Sequence, residues 1–333
     1  MTTSKTSIAV IGAGAWGTAL AQTYATSGHA VALYAREAAL AQQINTTRQN
    51  GVYLPDTSLH ANICAAHDLS CAEGAEIVLL ATPAQFLRDT LKKLAPKLRK
   101  GALLVNCAKG IEISTGKLPF EVAAEVAPQS PYAVLSGPTF AHEVAKGLPA
   151  AATLAAKAPQ DDVMRWAQTL STPAFRLYAS TDVAGPEVAG AVKNVIAIAC
   201  GIVEGKTLGQ NAKAAVMTRG LAESRRLGMS RGAQAETFLG LCGIGDLTLT
   251  CNSTSSRNYS VGVALGRGKT LEEIRAGQRS VAEGVATAQA LATHAGDVDM
   301  PICHAVDQIL HKRADVDFII RELLARHLKP EGE

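Results

Sequence analysis

The sequence is missing the arrangements on which most hydrolases and metalloproteins depend. None of its eight histidines stands at a metal-ligand spacing such as HxxxH, and there is no GxSxG elbow, so neither a zinc nor a serine hydrolase is indicated and no metal site is expected. The seven cysteines (Cys64, Cys71, Cys107, Cys200, Cys242, Cys251, Cys303) are odd in number, far apart and without a CxxC. That argues against a disulfide framework and fits thiols packed as small hydrophobes in a reducing cytoplasm. Excess charge is lacking too: the formal charge is +3 over 333 residues, with lysines and arginines scattered, so nothing marks nucleic acid or an anionic membrane as a partner. No stretch reads as a membrane span. The most apolar one, Val188–Val203, falls short of the ~20 residues a bilayer requires and contains Lys193 and Asn194. Ile8–Ala21 imitates the apolar part of a signal peptide but is interrupted by Gly12, Gly14 and Gly17. Gly266-Arg267-Gly268-Lys269-Thr270 imitates the end of a P-loop, yet Val263 stands where the first glycine belongs and no strand precedes it.

What is present is alternation. Hydrophobic residues make up 47% of the chain, enough for two domains. Short β-branched runs near Ile8–Ile11, Ala30–Tyr34, Ile77–Ala81, Leu103–Asn106, Ala133–Leu135 and Ala151–Ala155 alternate with helix-like segments. This is the pattern of an α/β fold, a doubly wound, mainly parallel sheet with helices on both faces. From residue 185 the pattern changes to apolar or amphipathic helices at Pro186–Glu204, Asn211–Leu227, Ser280–Thr293 and Pro301–Gln308. Gly228 reads as the residue just past the second of these helices. The expectation is a nucleotide-binding domain over 1–184 and an all-helical C-terminal domain over 185–333.

The strand Ile8–Ile11 runs into Gly12-Ala13-Gly14-Ala15-Trp16-Gly17 and then a helix at Thr18–Ser27. Such a GxGxxG turn lets backbone N–H groups approach a pyrophosphate, and its context here is that of a dinucleotide site. The end of the second strand selects between NAD and NADP; it offers Arg36, suited to a 2′-phosphate, followed by Glu37, suited to a ribose hydroxyl. The balance leans to NADP with NAD still open.

In an open parallel sheet the chemistry lies beyond the strands' carboxyl ends. After Leu103–Asn106 comes Lys109 with Gly110 beside it, either a cation at the crevice or a surface lysine. After Ala133–Leu135 comes Ser136-Gly137-Pro138-Thr139, either an oxyanion site or an ordinary helix cap. Thr82-Pro83 reads as a helix-initiating turn.

In the helical half, Lys193 and Asn194 sit in an apolar helix, where polar groups must find partners. Ala189, Gly190 and Ala197, its neighbours on the helix surface, are small and leave room for a ligand. Burial lowers a lysine pKa toward the range useful for proton transfer, which makes Lys193 the acid/base candidate, with a structural ion pair as the competing reading. Downstream, Asp246 precedes Ser256-Arg257-Asn258 at a helix start, a candidate phosphate site whose plainer reading is a serine cap and a solvated arginine.

These pieces together resemble bacterial NAD(P)-dependent glycerol-3-phosphate dehydrogenases. The resemblance runs from Ile8 to about Pro301 and is carried by IGAGAWGTALA, LSGPTFAHEVAKGLP, VKNVIAIACGI, NAKAAVMTRGLAESRRLG and GDLTLTCNSTSSRN. It implies a Rossmann-like domain, a helical domain, a ternary site between them, and reversible hydride transfer between NAD(P)H and dihydroxyacetone phosphate for phospholipid synthesis. It makes Lys193 the general acid/base, Lys109 and Asn194 the groups that bind and polarise substrate, and Asp246 the group that orients the lysines. Gly137, Thr139, Ser256, Arg257 and Asn258 would complete the substrate site. Cofactor contacts would come from Gly12, Gly14, Ala15, Trp16, Gly17, Arg36, Lys109, Ala141, Arg257, Val281 and Glu283. The family resemblance also suggests a cytoplasmic homodimer without stable membrane association. VAGAVKN in place of the family's LGGALKN, and Lys206-Thr207 near Gly209, are departures that bear on helix packing and loop shape. Two rivals stay open: another two-domain dehydrogenase of the β-hydroxy acid or ketopantoate reductase type, which would need a carboxylate clamp, and a non-catalytic NAD(P) sensor.

Overall fold

The computed structural model describes residues 6–276, 282–328 and 330. It separates into two compact units, Met1–Ala108 with Pro119–Val183, and Lys109–Leu118 with Ala184–Glu333. A single cut at 184 therefore does not describe segment 109–118, which packs with the second unit.

In chain order the first unit comprises β1 (Ile8–Ile11), α1 (Ala15–Thr26), β2 (Val31–Tyr34), α2 (Ala38–Thr47), β3 (Gln49–Asn50), β4 (Leu54–Ser58), β5 (Ile63–Ala66), β6 (Ile77–Leu80), α3 (Leu87–Leu94), β7 (Leu103–Asn106), α4 (Pro119–Val126), β8 (Tyr132–Ser136), α5 (Ala141–Ala145), β9 (Ala150–Ala156), α6 (Gln160–Leu170) and β10 (Phe175–Ser180). Eight strands form one sheet in the order β10-β9-β8-β7-β6-β1-β2-β5, while β3 and β4 form a separate hairpin. All pairings in the large sheet are parallel except β8 with β9. The central strands β1, β6 and β7 are buried throughout, which is why they read as unbroken apolar runs.

Alternate residues of these strands feed two separate cores. Ile8, Val10 and Leu79 join Leu20 and Tyr24 of α1, Ile44 of α2 and Leu170 of α6. Ala9, Ile11 and Leu80 join Leu87 and Leu91 of α3 and Val122 of α4. Helices thus cover both faces, the doubly wound arrangement expected from the alternation. The six expected strands are all present, and β5 and β10 add the two edges.

The second unit contains α7 (Ala184–Gly205), α8 (Gly209–Ser230), α9 (Asp246–Cys251), α10 (Arg257–Gly266), α11 (Leu271–Ala276), α12 (Glu283–His294), α13 (Pro301–His311) and α14 (Val316–Leu324). Among the described residues one helix, α7, is long and apolar enough to cross a membrane, but 89% of its most apolar window is buried inside the protein. It is the axis of the helical unit. α8 does not end at Leu227 as its sequence suggested: it continues to Ser230, and Gly228 is internal because the Phe238 ring lies 2.1 Å from where its Cβ would be. The turn into α8 places Thr207 at φ 54°, a left-handed conformation that a β-branched residue rarely adopts. Its neighbour in sequence, Lys206, is paired with Asp317 at 2.7 Å.

α7 and α10 cross at glycines. A Cβ on Gly201 would lie 2.1 Å from the Tyr259 carbonyl oxygen, and one on Gly262 would lie 2.0 Å from that of Ile198. Backbone touches backbone here, so neither helix can yield by turning a side chain. Gly201→Ala is therefore expected to cost about 3 kcal/mol, the upper end for overpacking, read as a lower urea midpoint with an unchanged slope. A midpoint equal to that of the parent protein would show that the crossing tolerates separation.

Five cysteines (Cys107, Cys200, Cys242, Cys251, Cys303) are buried as free thiols, whereas Cys64 is exposed and Cys71 half-buried. Those two are not packed as hydrophobes. Glu223 of α8 is another buried group that the sequence did not flag. Its carboxylate accepts the backbone N–H groups of Ile302 at 2.7 Å and Cys303 at 3.1 Å, serving as the N-terminal cap of α13 from a neighbouring helix. Burial pushes its pKa up to about 7 despite those bonds.

Candidate active site

The turn between β1 and α1 has the form that a pyrophosphate needs. Gly12 has φ 121°, and a Cβ there would lie 2.9 Å from the Ala81 carbonyl oxygen. On Gly17 a Cβ would lie 1.9 Å from the Gly12 carbonyl oxygen, so the helix can approach the strand only with glycine at that position. Gly14 differs: a Cβ there would meet nothing within 4 Å. Gly14 is also the N-cap of α1 and brings no side chain to its first turn, so the N–H groups beginning at Ala15 and Trp16 take no side-chain cap from it. A dinucleotide phosphate fits this cradle.

Trp16 is half-buried, packed edge-on against Phe175 with ring centroids 6.4 Å apart. It shares a small apolar cluster with Ala141, the first residue of α5, so two residues chosen only by resemblance lie together in the first unit. Arg36 and Glu37 are bound to each other: Arg36 Nε and Nη2 both donate to Glu37 Oε1, at 2.9 and 2.6 Å.

At the end of β8 the capping reading of Ser136 and Thr139 does not hold. Phe140 occupies the N-cap of α5, and Thr139 donates its hydroxyl to the Gly137 carbonyl at 3.2 Å. The Ser136 hydroxyl is buried without a partner among the described residues. Gly137 is required by the close approach of β9, since a Cβ there would lie 2.7 Å from Ala152 Cα.

The helical unit holds a strongly ionic buried cluster of site candidates. Asp246, the first residue of α9, is 1% exposed and receives two lysines, Lys193 Nζ on Oδ1 and Lys109 Nζ on Oδ2, each at 2.6 Å. Lys193 also donates to Thr250 Oγ1 at 2.8 Å, and that hydroxyl returns a bond to the Asp246 carbonyl at 2.7 Å. Burial pulls the Lys193 pKa down to about 8; Asp246 pushes it back up and Lys109 lowers it further. Burial works to raise the Asp246 pKa, but the two lysines outweigh it and hold the carboxyl below its ordinary value. The result is a carboxylate ionised at neutral pH that grips a lysine close to its titration point.

The small neighbours Ala189, Gly190 and Ala197 of Lys193 are all buried. Ala189 and Lys193 border a small cavity with Gly220 and Ser224 of α8. Asn194 and Asn258 form a second polar pair. Asn258 Nδ2 donates to Asn194 Oδ1 at 2.9 Å, Asn258 Oδ1 accepts from Gly284 N at 2.9 Å, and Asn194 Nδ2 donates to the Gly190 carbonyl at 3.3 Å. Ser256 does cap α10, accepting the Tyr259 N–H at 3.3 Å, and Arg257 beside it is exposed. Glu283 opens α12 and is half-buried; Val281 lies outside the described residues.

Comparison with known proteins decides what this arrangement belongs to. The N-terminal model of NAD-dependent glycerol-3-phosphate dehydrogenase matches residues 7–162 and the C-terminal model matches residues 182–321. The chain belongs to the NAD-dependent glycerol-3-phosphate dehydrogenase family. A relative from Parvibaculum lavamentivorans named glycerol-3-phosphate dehydrogenase [NAD(P)+] is 51% identical, covering 99% of this chain and all of the relative. Another of that name from Caulobacter vibrioides is 53% identical over 98% of each chain. The crystal structure of glycerol-3-phosphate dehydrogenase from Coxiella burnetii superposes with a TM-score of 0.92 at 36% identity, covering 97% of this chain and 99% of that one.

Within this family fold, the sequence reading missed Thr250. It lies one helical turn after Asp246 in DLTLT, so an i, i+4 reading of α9 would have placed its hydroxyl beside the carboxylate. It also missed Gly284, where a Cβ would lie 2.6 Å from the Asn194 carbonyl oxygen and 2.8 Å from Asn258 Oδ1. That glycine follows the undescribed residues 277–281 and carries no local signal.

Proposed function

We propose that the protein is an NAD(P)-dependent glycerol-3-phosphate dehydrogenase that interconverts sn-glycerol 3-phosphate and dihydroxyacetone phosphate, with Lys193 as its general acid/base. The observation that carries the reading is the Lys193–Asp246–Lys109 cluster, in a chain about half identical to relatives bearing that name. When bound, the nicotinamide dinucleotide supplies or accepts the hydride. The protein's own residues do the rest. Gly12, Gly14, Ala15, Trp16 and Gly17 would hold the pyrophosphate end. In the reducing direction protonated Lys193 gives its proton to the substrate oxygen as negative charge develops there, and in the oxidising direction neutral Lys193 removes that proton. A protonated lysine has three N–H groups; Asp246 and Thr250 take two, and the third is the one we assign to the substrate oxygen. Lys109, partly exposed at 17%, adds positive charge beside the same oxygen. Asn194 would orient the substrate, while Ser256, Arg257 and Asn258 at the start of α10 would bind its phosphate, with Gly137 and Thr139 as further contacts. Ala141, Arg257, Val281 and Glu283 are read as cofactor contacts on the strength of resemblance. The same family resemblance supports a role in phospholipid precursor synthesis and a cytoplasmic homodimer without stable membrane association.

The test is oxidation of NADPH and NADH by purified protein with dihydroxyacetone phosphate, alongside a panel of β-keto acids. Turnover with the phosphate ester alone is expected; turnover with a keto acid alone, or cofactor binding without any turnover, would defeat the assignment. The same assay reads cofactor choice. Exposed ion pairs contribute only about 0–1 kcal/mol, so a 2′-phosphate can displace Glu37 from Arg36. Arg36→Ala is expected to raise KM for NADPH about tenfold with little change for NADH, and Glu37→Gln to sharpen the preference for NADPH. Equal KM changes for both cofactors would remove Arg36 from that role.

A further inference from the structure

Segment 109–118 begins with Lys109 and packs with the helical unit. It is a closed turn, with Glu112 N donating to the Lys117 carbonyl at 3.0 Å and Gly116 N to the Glu112 carbonyl at 2.8 Å. Its apolar anchors Ile111 and Leu118 are buried, yet with Val188, Leu227 and Leu291 they border a small cavity, so the seat beneath them is incompletely filled. Apolar packing with slack does not fix register to a few tenths of an ångström. Polar contacts must do so, and besides the Lys109–Asp246 bond one side chain of the helical unit meets the segment at two points.

That side chain is His294, the last residue of α12. Its Nε2 lies 2.8 Å from the Ile113 carbonyl oxygen, which can only accept, so Nε2 carries the proton. Gly116 lies against the same imidazole: at φ 70°, a Cβ there would be 2.5 Å from His294 Cβ and 2.6 Å from Cγ. The His294 backbone is held in turn, its carbonyl accepting from Arg231 of α8 at 3.2 Å. At its other end α12 is tied by Gly284 N to Asn258, and through Asn258 to Asn194. A single 12-residue helix thus links the start of α10 to the loop that carries Lys109.

We propose that His294 is a positioning residue for the reaction: its bond to the Ile113 carbonyl, with its ring against Gly116, holds segment 109–118 in the register that brings Lys109 to Asp246. This rests on the reading of Lys109 as the cation beside the substrate oxygen. Because His294 acts through Lys109, its effect must disappear when Lys109 is gone.

The experiment measures kcat and KM for dihydroxyacetone phosphate in His294→Ala, His294→Gln, Gly116→Ala, Lys109→Ala and the Lys109→Ala/His294→Ala double variant of the intact chain, together with deuterium uptake by residues 109–118. His294→Ala and Gly116→Ala are each expected to lower kcat/KM about tenfold, a loss of the size that slight misplacement produces. His294→Gln keeps a side-chain N–H and should recover most of that loss. In the Lys109→Ala background, removing His294 should change kcat/KM by less than about twofold. Deuterium uptake should rise in 109–118 in the His294 variant and stay unchanged in α7. A loss that adds fully to that of Lys109→Ala, or faster uptake with parental kcat/KM, would overturn the proposal. Parental kinetics in Lys109→Ala would instead overturn the reading of Lys109, and the uptake data would still decide whether His294 holds the segment.

Discussion

Lys193→Ala should lower kcat in both directions by about a thousandfold, in line with the loss of a general acid/base, while NADPH affinity stays within about twofold of the parent. Lys193→Arg should not restore turnover: it keeps the charge, but a guanidinium neither gives up nor takes a proton near neutral pH. The pH profile supplies the sign. On the proposed role of Lys193, whose pKa lies near 8, reduction of dihydroxyacetone phosphate needs the protonated form, so kcat/KM in that direction should be flat at lower pH and fall as pH rises through about 8. Oxidation of glycerol 3-phosphate needs the neutral form and should rise through the same range. Thr250→Val, which removes an acceptor from the charged amine, should move both profiles to lower pH. Stopped-flow turnover between pH 6 and 10 separates these outcomes. Parental turnover in Lys193→Ala, or profiles that move together in both directions, would remove Lys193 from proton transfer.

The parts of the molecule that the sequence reveals are those whose physics is local. β1, β6 and β7 are buried on both faces and so appear as uninterrupted apolar runs, and Gly17 in the turn after β1 is dictated by the Gly12 carbonyl oxygen five residues earlier, although Gly12 itself faces Ala81 beyond the end of β6. The edge strands escaped because an edge need not be apolar: β5 is only four residues with an exposed cysteine, and β10 alternates buried with exposed positions. Lys193 was legible because an apolar helix makes a lysine conspicuous. Its partners were less so. Asp246 lies 53 residues away and Lys109 is 137 residues from Asp246, and the fold alone brings them onto one carboxylate. Without the family resemblance, Lys109 at a strand end was no better than a surface lysine. The misreading at Gly228 has the same origin: whether a glycine ends a helix or makes room for a ring depends on Phe238, ten residues on in the chain and outside the helix.

Asp246→Asn should be the most damaging conservative change in the helical unit. The replacement is nearly isosteric, but an amide has one acceptor oxygen where the carboxylate had two. Whichever way it turns, one lysine ammonium at 2.6 Å meets N–H instead of oxygen. Lys109, at 17% exposure, can swing toward water, whereas Lys193 is buried and must stay, so the amide oxygen should remain with Lys193 and Lys109 should be released. Lys193 is then a buried cation without its anion. Removing one member of a buried ion pair costs about 3–5 kcal/mol, and the urea midpoint at pH 7 should fall accordingly. The pH dependence of that difference follows from linkage. Asp246 is held below its ordinary value of 3.8, so its stabilisation is fully present above that pH and is lost as pH falls through the lower, folded-state value. Parent and variant should therefore converge in strong acid. Lys193 acts in the other sense: its folded pKa of about 8 lies below the ordinary 10.5, so on its account stability rises with pH between those values. In Asp246→Asn the largest influence holding that pKa up is gone, so this rise should begin below pH 8, and the fall in reductive kcat/KM should move down with it. A variant that unfolds at the parental urea concentration and keeps the parental pH profile would show that Asp246 neither pairs the two lysines nor sets the proton affinity of Lys193.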